Sequence, residues 1–158
     1  MSIEIERKFL VLNDSYKENA YSHFCIRNGY LCNHNHRTVR VLIYGDRAYL
    51  TIKGRLLESG FPHYEFEKEI TLKEGQQLIR LCEPDVIEKE RWLVKFAGHL
   101  FEVDEFFGVN VGLVTAEVEL SSVDESLDIP NFIGKEITGD HRFYNSFLRT
   151  NPYCKWTQ

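Results

Sequence analysis

Long apolar runs are absent from this sequence of 158 residues. No stretch approaches the roughly 18 residues that a membrane-spanning helix needs. No apolar signal region precedes the first charged residues. We therefore expect no contact with a membrane and a cytoplasmic location.

A surplus of basic residues is also absent, because the formal net charge is -5. Proteins that bind nucleic acid normally carry a basic surface, so we expect no nucleic-acid partner. The four cysteines form no CxxC pair and no other common zinc spacing. Free thiols are therefore expected, and Cys25 and Cys82 are predicted to be buried.

Repeats, low-complexity tracts and linkers are absent as well, so a single domain over residues 1–158 is predicted. Alternating patterns and turn residues predict about eight strands with few helices, joined mostly by short connections. These features favour an antiparallel barrel or sandwich. The predicted strands are 2–11, 24–32, 38–44, 47–53, 64–72, 86–96, 99–107 and 113–121.

The first predicted strand alternates apolar and charged residues. Successive side chains of a strand point to opposite faces, so Glu4, Glu6 and Lys8 share one face. Two carboxylates spaced in this way lie about 6 to 7 Å apart along the chain. They can bracket one divalent cation, and a metal beside an ammonium group suits a polyphosphate. Strands with one solvated face show the same alternation, so this strand alone leaves both interpretations open.

Charged residues recur at alternate positions on most of the other predicted strands. They are mostly segregated by strand, whereas a solvated sheet face normally mixes polar residues without order. In a barrel with these faces inward the interior is charged, and buried charges persist when they are paired or hold ions. Carboxylates outnumber cations in this set, which favours bound metal ions. The positions are Glu4, Glu6, Lys8, Arg40, Lys53, Glu65, Glu67, Glu69, Lys89, Arg91, Glu102, Asp104, Glu117 and Glu119.

Taken in order, these motifs resemble the CYTH superfamily, or triphosphate tunnel metalloenzymes, and especially its short bacterial members. The Glu-x-Glu-x-Lys pattern at Glu4, Glu6 and Lys8 is a weak signal alone, but ordered matches cover essentially the whole chain. The further matches lie at 26–31, 50–53, 65–67, 88–92, 101–104, 117–119 and 136–145.

This resemblance implies an α+β, mostly β fold, in which eight antiparallel strands close into a tunnel with a few flanking helices. It also implies binding of a triphosphate compound with Mg²⁺ or Mn²⁺. The implied metal ligands are Glu4, Glu6, Asp104, Glu117, Glu119 and Glu67. The implied substrate-binding residues are Lys8, Arg40, Lys53, Lys89, Arg91 and Arg142. The implied catalytic residues are Glu4, Glu6, Lys8 and Lys89, with Lys89 a candidate base where neighbouring cations favour loss of its proton.

One position departs from the family pattern. Many relatives carry Arg-x-Arg on the third strand, whereas here Arg40 is followed by Val41 and Leu42. Leu42 is predicted to point into the same interior as Arg40, because the two are separated by one residue. One expected phosphate ligand is therefore missing, which would change the affinity or the phosphate register.

The expected function is hydrolysis of inorganic triphosphate, or of a small organic triphosphate, because phosphoryl transfer depends on positioning and charge neutralisation. Class IV adenylate cyclase-like and thiamine triphosphatase activities are alternatives on the same fold. A non-catalytic polyphosphate- or nucleotide-binding module, and a β-sandwich with solvated charged faces, are alternatives of other classes. The expected partner is a small-molecule triphosphate, and a homodimer is left open.

Overall fold

The computed structural model describes residues 5–34, 37–55, 63–83 and 86–156. Predicted site residue Glu4 lies outside these ranges. Two compact units divide the chain: residues 1–24 with 89–158 form the first, and residues 25–88 form the second. The strands are β1 (Ile5–Val11), β2 (Ser22–His34), β3 (Arg37–Tyr44), β4 (Arg47–Arg55), β5 (His63–Ile70), β6 (Val86–Phe96), β7 (His99–Phe106), β8 (Val114–Leu120) and β9 (Ile133–Glu136). The α-helices are α1 (Tyr16–Asn19), α2 (Leu72–Cys82) and α3 (Asn145–Thr150).

The first unit is built on antiparallel strands in the order β6, β7, β8, β1, β9. One face of this sheet is apolar and forms the core, because Phe9, Phe101 and Val118 are almost fully buried on adjacent strands. Tyr16 and Phe132 cover this face, with their rings edge to face at 5.9 Å. Alternation along each strand then places the charged residues on the opposite face.

The short strand β9 was not predicted from the sequence. It pairs with β1 through Phe9 opposite Glu136 and Val11 opposite Ile133, with an irregularity between the two pairs. The described strands therefore number nine rather than the predicted eight. β9 also carries the chain past the charged face, and the residues that follow it reach the candidate site.

The second unit contains strands in the order β5, β4, β3, β2, with α2 packed on one face. Val41, Ile43 and Ala48 from the strands meet Ile79 and Cys82 from the helix. A capping box starts α2: the Thr71 hydroxyl accepts from the Glu74 amide, and the Glu74 carboxylate accepts from the Thr71 amide. This core fixes which face of the strands points away from the helix.

The mostly β, antiparallel fold with few helices is confirmed. The predicted closed barrel is corrected in one respect beyond the strand number: the described pairings leave the sheet of each unit open. The predicted strands leave two-residue connections at 45–46 and 97–98, and both connections are hairpin turns, with left-handed backbone at Gly45 and at Ala97 and Gly98. Residues with left-handed backbone permit two-residue hairpin turns, which explains why each connection is only two residues long.

The remaining features are the C-terminal turns and the thiols. His141–Phe143 form a 3₁₀ turn, and α3 begins after it at Asn145. All four cysteines lie within the described residues and none is in a disulfide; Cys82 is buried and Cys25 is only partly buried. No helix within the described residues is long and apolar enough to cross a membrane.

Candidate active site

A cavity of about 530 Å³ opens on the charged face of the first unit. Strands β1, β6 and β8 supply charged side chains to it, and the segment after β9 supplies a wall. Its lining residues are Glu6, Lys8, Lys89, Arg91, Glu117, Thr138, Gly139, Tyr144 and Asn145. Five of the predicted site residues are therefore brought together in one place.

Two lining cations, Lys89 and Arg91, are held by one buried carboxylate. The Lys89 Nζ atom lies 2.7 Å from Asp104 Oδ2. The Arg91 guanidinium donates to both carboxylate oxygens of Asp104, from Nε at 2.8 Å and from Nη2 at 2.9 Å. Arg91 Nη1 also donates to Glu102 at 2.9 Å. The two cations are thus fixed in position before any ligand is bound.

Asp104 does not line the cavity, and only 2% of it is exposed. Burial acts to raise the pKa of its carboxyl, but the Lys89 ammonium and the Arg91 guanidinium lower that pKa overall. Burial acts in the same way against the charged form of Arg91, yet its hydrogen bonds to Asp104 raise the pKa of Arg91. Asp104 and Arg91 are therefore both stabilised in their charged forms, as a buried ion network requires.

Lys8 approaches the cavity from β1. Its Nζ atom lies 3.2 Å from Glu117 and donates to the backbone carbonyl of Phe143 at 3.1 Å. Lys8 and Glu117 are also directly opposite each other in the β1–β8 pairing. The ammonium is therefore placed between the strand carboxylates and the C-terminal segment.

Carboxylates from three strands crowd together beside these cations. Glu6 lies opposite Glu119, and Glu102 lies opposite Glu117, so like charges face each other across the sheet. Burial raises the pKa of Glu6, and the charge of Glu117 and a hydrogen bond with its carboxyl group raise it further. Burial likewise raises the pKa of Glu102. This crowding is relieved by either a proton or a cation.

Divalent metal ions fit this set of oxygens, although the described residues contain no group of three or more metal-binding side chains in a position to form a protein cage. Mg²⁺ is usually held by one or two carboxylates together with substrate phosphates and water. Glu6 and Glu117 both line the cavity, and the charge of Glu117 contributes to the raised pKa of Glu6, so they supply two such carboxylates.

The C-terminal wall contributes four lining residues that sequence reasoning missed, although Arg142 of the same segment was predicted to bind substrate. Thr138 and Gly139 follow β9, and Tyr144 and Asn145 lie at the start of α3. None of these residue types indicates chemistry by itself. The signal was the resemblance of residues 136–145 to the family motif, which covers all four.

Arg142 is not among the lining residues, although it was predicted to bind substrate. Its guanidinium donates to Asp140 at 3.1 and 2.7 Å and lies over the rings of Phe143 and Trp156. Its side chain is 57% exposed. A role in substrate binding stays a prediction for Arg142, without a contact that supports it.

Three predicted site residues belong to the second unit, where they share one face. Arg40 lies opposite Thr51, which in turn lies opposite Glu67, and Lys53 is 4.0 Å from Glu65. This is the face that points away from α2. The Arg40 Nε atom is buried with no hydrogen-bond partner among the described residues, so it has a donor available for a ligand.

Leu42 is on the same face as Arg40, as the alternation predicts. It lies opposite Asn28 on β2 and Tyr49 on β4. Val41, by contrast, is fully buried against α2. The apolar substitution therefore falls on the face that carries the cations.

Comparison with known proteins adds to this geometry. The chain matches the CYTH domain family over residues 2–144. It is 44% identical over 154 residues to an inorganic triphosphatase of Acetivibrio thermocellus, with 97% of each chain covered. It is 32% identical over 149 residues to an inorganic triphosphatase of Nitrosomonas europaea, covering 92% of this chain and 95% of the relative. The crystal structure of the inorganic triphosphatase NE1496 superimposes with a TM-score of 0.76 at 30% identity, over 94% of this chain and 95% of that one.

Proposed function

The chain belongs to the CYTH domain family, and we propose that it is a divalent-metal-dependent hydrolase that cleaves inorganic triphosphate to diphosphate and phosphate. Two relatives that cover nearly the whole chain are named inorganic triphosphatases, which supports this choice of substrate. A small organic triphosphate is the alternative substrate within the same chemistry.

The observation that carries the proposal is the fixed group of cations on the cavity wall. Lys89 and Arg91 are held by Asp104, and Lys8 enters the same cavity from β1. Phosphoryl transfer needs charges placed in advance around the phosphate oxygens more than it needs covalent chemistry. Three preorganised cations on one cavity meet that requirement.

Lys8, Lys89 and Arg91 would bind the oxygens of the phosphate chain. Arg91 keeps two of its nitrogens on Asp104 and one on Glu102, so its orientation is set by the protein. A guanidinium suits oxygens presented in a plane, whereas the ammonium groups act as point charges. Arg40 and Lys53, and Arg142 if it reorients, are the further proposed contacts.

Glu6 and Glu117 are the proposed metal-binding carboxylates, with Glu119 adjacent to them and with Glu4 and Glu67 as further candidates. When bound, Mg²⁺ or Mn²⁺ would neutralise phosphate charge and help to orient the attacking water. Without a cation, the Glu6 and Glu117 carboxyls would repel both each other and the substrate, since burial and the neighbouring charge already raise the pKa of Glu6.

Asp104 was predicted to bind metal, but its contacts support a different role. Both of its oxygens accept from Arg91, and one also contacts Lys89. We assign it to the positioning of these two cations. The same contacts bear on Lys89, whose nearest charged neighbour is a carboxylate rather than the cations that would favour loss of its proton. A phosphate-binding role is therefore proposed for Lys89 in preference to that of a base.

A panel of inorganic triphosphate, ATP and thiamine triphosphate, assayed with Mg²⁺ or Mn²⁺, tests the proposal. The expected products are one phosphate and one diphosphate from inorganic triphosphate, with the highest kcat/KM on that substrate. Formation of cyclic AMP and diphosphate from ATP would instead identify a cyclase. Binding of a triphosphate without turnover under either metal would identify a binding module.

A further inference from the structure

Arg7 interrupts an otherwise apolar face of β1. Its neighbours on that face, Ile5 and Phe9, belong to the core of the first unit, whereas Glu6 and Lys8 face the cavity. The side chain of Arg7 therefore points away from the site that the previous subsections describe. A charged residue at such a position needs a partner, and the structure provides one on β9.

The Arg7 guanidinium donates two hydrogen bonds to the Glu136 carboxylate. Nε donates to Oε2 at 3.0 Å and Nη2 donates to Oε1 at 2.7 Å. This is the bidentate geometry in which arginine fixes the orientation of a carboxylate as well as its position. The hydrogen bond with Arg7, and a second one from Thr138, lower the pKa of Glu136.

Thr138 connects Glu136 to the cavity wall by hydrogen bonds. The Thr138 hydroxyl donates to Glu136 Oε2 at 2.7 Å and accepts from the backbone N–H of Lys8 at 2.9 Å. Thr138 and the next residue, Gly139, both line the cavity. One continuous set of hydrogen bonds therefore runs from Arg7, on the apolar face of β1, to the cavity wall.

Lys8 is tied to the same segment at two further points. Its carbonyl accepts from the Ile137 N–H at 2.8 Å, and its ammonium donates to the Phe143 carbonyl at 3.1 Å. The segment that follows β9 is thus positioned against the one lysine of β1 that lines the cavity. Movement of this segment would also move the hydrogen-bond partners of that ammonium.

We propose that Arg7, Glu136 and Thr138 form a positioning network that holds the wall at residues 138–145 at the correct distance from Lys8 for phosphate binding. The inference rests on the proposed function, because the network acts through cavity residues. None of the three is proposed to react: Arg7 and Glu136 act through Thr138, and Thr138 acts by fixing the wall.

Because the Arg7–Glu136 pair is partly exposed, its effect on catalysis can be distinguished from its effect on the stability of the fold. The side chains of Arg7 and Glu136 are 32% and 40% exposed, so loss of their pair should change the melting temperature little. Their loss should nevertheless impair the site, since misplacement of a binding group by about 1 Å can cost up to about 100-fold in rate.

The test compares Arg7→Ala and Glu136→Ala with a matched control, Lys17→Ala. Lys17 pairs with Glu105 at 3.3 Å in the same unit, and these side chains are 39% and 25% exposed, but neither lines the cavity. Both network variants should lower kcat/KM for inorganic triphosphate by roughly 10- to 100-fold, mainly through KM. The control should stay within about twofold of the parent chain, and all three melting temperatures should agree within a few degrees.

Two further comparisons identify the route through Thr138. The Arg7→Ala, Glu136→Ala double variant should lose no more than the worse single variant, because members of one network do not add. Thr138→Val should reproduce the loss of Glu136→Ala, whereas Thr138→Ser, which keeps the hydroxyl, should restore activity close to that of the parent chain. Arg7→Lys keeps the charge without the bidentate geometry and should show an intermediate loss.

Equilibrium binding of inorganic triphosphate to each variant separates this inference from the proposed function. If the parent chain binds triphosphate but does not hydrolyse it, the proposed function is overturned, while weaker binding by Glu136→Ala still supports the network. If the parent chain hydrolyses triphosphate and Glu136→Ala matches Lys17→Ala in both KM and dissociation constant, the network has no positioning role and the inference is wrong.

Discussion

Replacement of Asp104 by asparagine tests how the cations of the cavity are held. Asparagine keeps the shape of the side chain but removes its charge and replaces one acceptor oxygen with a donor. Both oxygens of Asp104 accept from Arg91, and Oδ2 also contacts Lys89, so in either orientation an amide N–H would face a cationic donor. The two cations would then lose the anion that compensates their burial.

The expected cost is large because the group is almost inaccessible to water, with 2% of the residue exposed. Removal of one partner from a buried ion pair typically costs about 3 to 5 kcal/mol in the free energy of unfolding. A domain of this size loses about 2 to 4 °C per kcal/mol, so the melting temperature should fall by roughly 6 to 20 °C.

Thermal melting at pH 7 provides the measurement, with Glu102→Gln as the control. Glu102 contacts the same arginine through a single hydrogen bond, and its side chain is 26% exposed. The melting temperature of Glu102→Gln should therefore fall clearly less than that of Asp104→Asn. Steady-state kinetics on the folded variant adds a second readout. KM for triphosphate should rise in Asp104→Asn, while the metal concentration for half-maximal activity should not change.

The stability that the Asp104 carboxylate contributes should depend on pH in a definite direction. The pKa of Asp104 lies below its ordinary value of 3.8, so its charge stabilises the fold above pH 3.8 and this contribution is lost as pH falls through the lower folded pKa. The difference between the parent chain and Asp104→Asn should therefore stay constant at neutral pH and shrink below pH 3.8. A melting temperature equal to that of the parent chain, or a large rise in the metal requirement with unchanged KM, would refute the assigned role.

Three other substitutions make separate predictions. Glu6→Gln should lower turnover by orders of magnitude with little change in far-UV circular dichroism, because it removes a proposed metal ligand while keeping its shape; normal rates with a normal metal requirement would contradict this. Leu42→Arg should lower KM for triphosphate at unchanged melting temperature if the face beside Arg40 binds phosphate; overpacking would instead cost about 1 to 3 kcal/mol of stability with no gain in affinity. Glu125→Gln should lower the melting temperature at neutral pH, since hydrogen bonds from Ser121 and His99 bring the pKa of Glu125 to about 2. That difference should disappear as pH falls from about 4.5 toward 2, because a carboxylate with a depressed pKa stabilises the fold only while it is ionised, and a constant difference would show that the charge is not responsible.

Local patterns predicted the parts of the fold that depend on local physics. Alternation in β1 separated Phe9, which is buried in the core, from Glu6 and Lys8, which line the cavity. The turn at Ala97 and Gly98 follows from a pair of residues that adopt left-handed backbone. The strand from Val86 to Phe96 was predicted with its observed boundaries.

Long-range pairing explains what the sequence did not reveal. Ile133–Glu136 carry no alternating pattern, and β9 exists because the edge of β1 supplies hydrogen-bond partners. The partner of Arg91 could not be read from spacing either. Asp104 lies directly opposite it only once β6 and β7 pair, and this changes the interpretation of Asp104 from a metal ligand to an anchor for cations.

The most direct test of the central claim is product release from inorganic triphosphate by the parent chain, followed with and without a divalent metal and compared with Arg91→Ala. The account predicts equal amounts of phosphate and diphosphate in the presence of Mg²⁺ or Mn²⁺ and no turnover in excess chelator. Arg91→Ala should lower kcat/KM by roughly 10- to 100-fold, as the loss of a charge-assisted phosphate contact implies. Full activity in chelator, or an Arg91→Ala variant that is folded and as active as the parent chain, would contradict the claim.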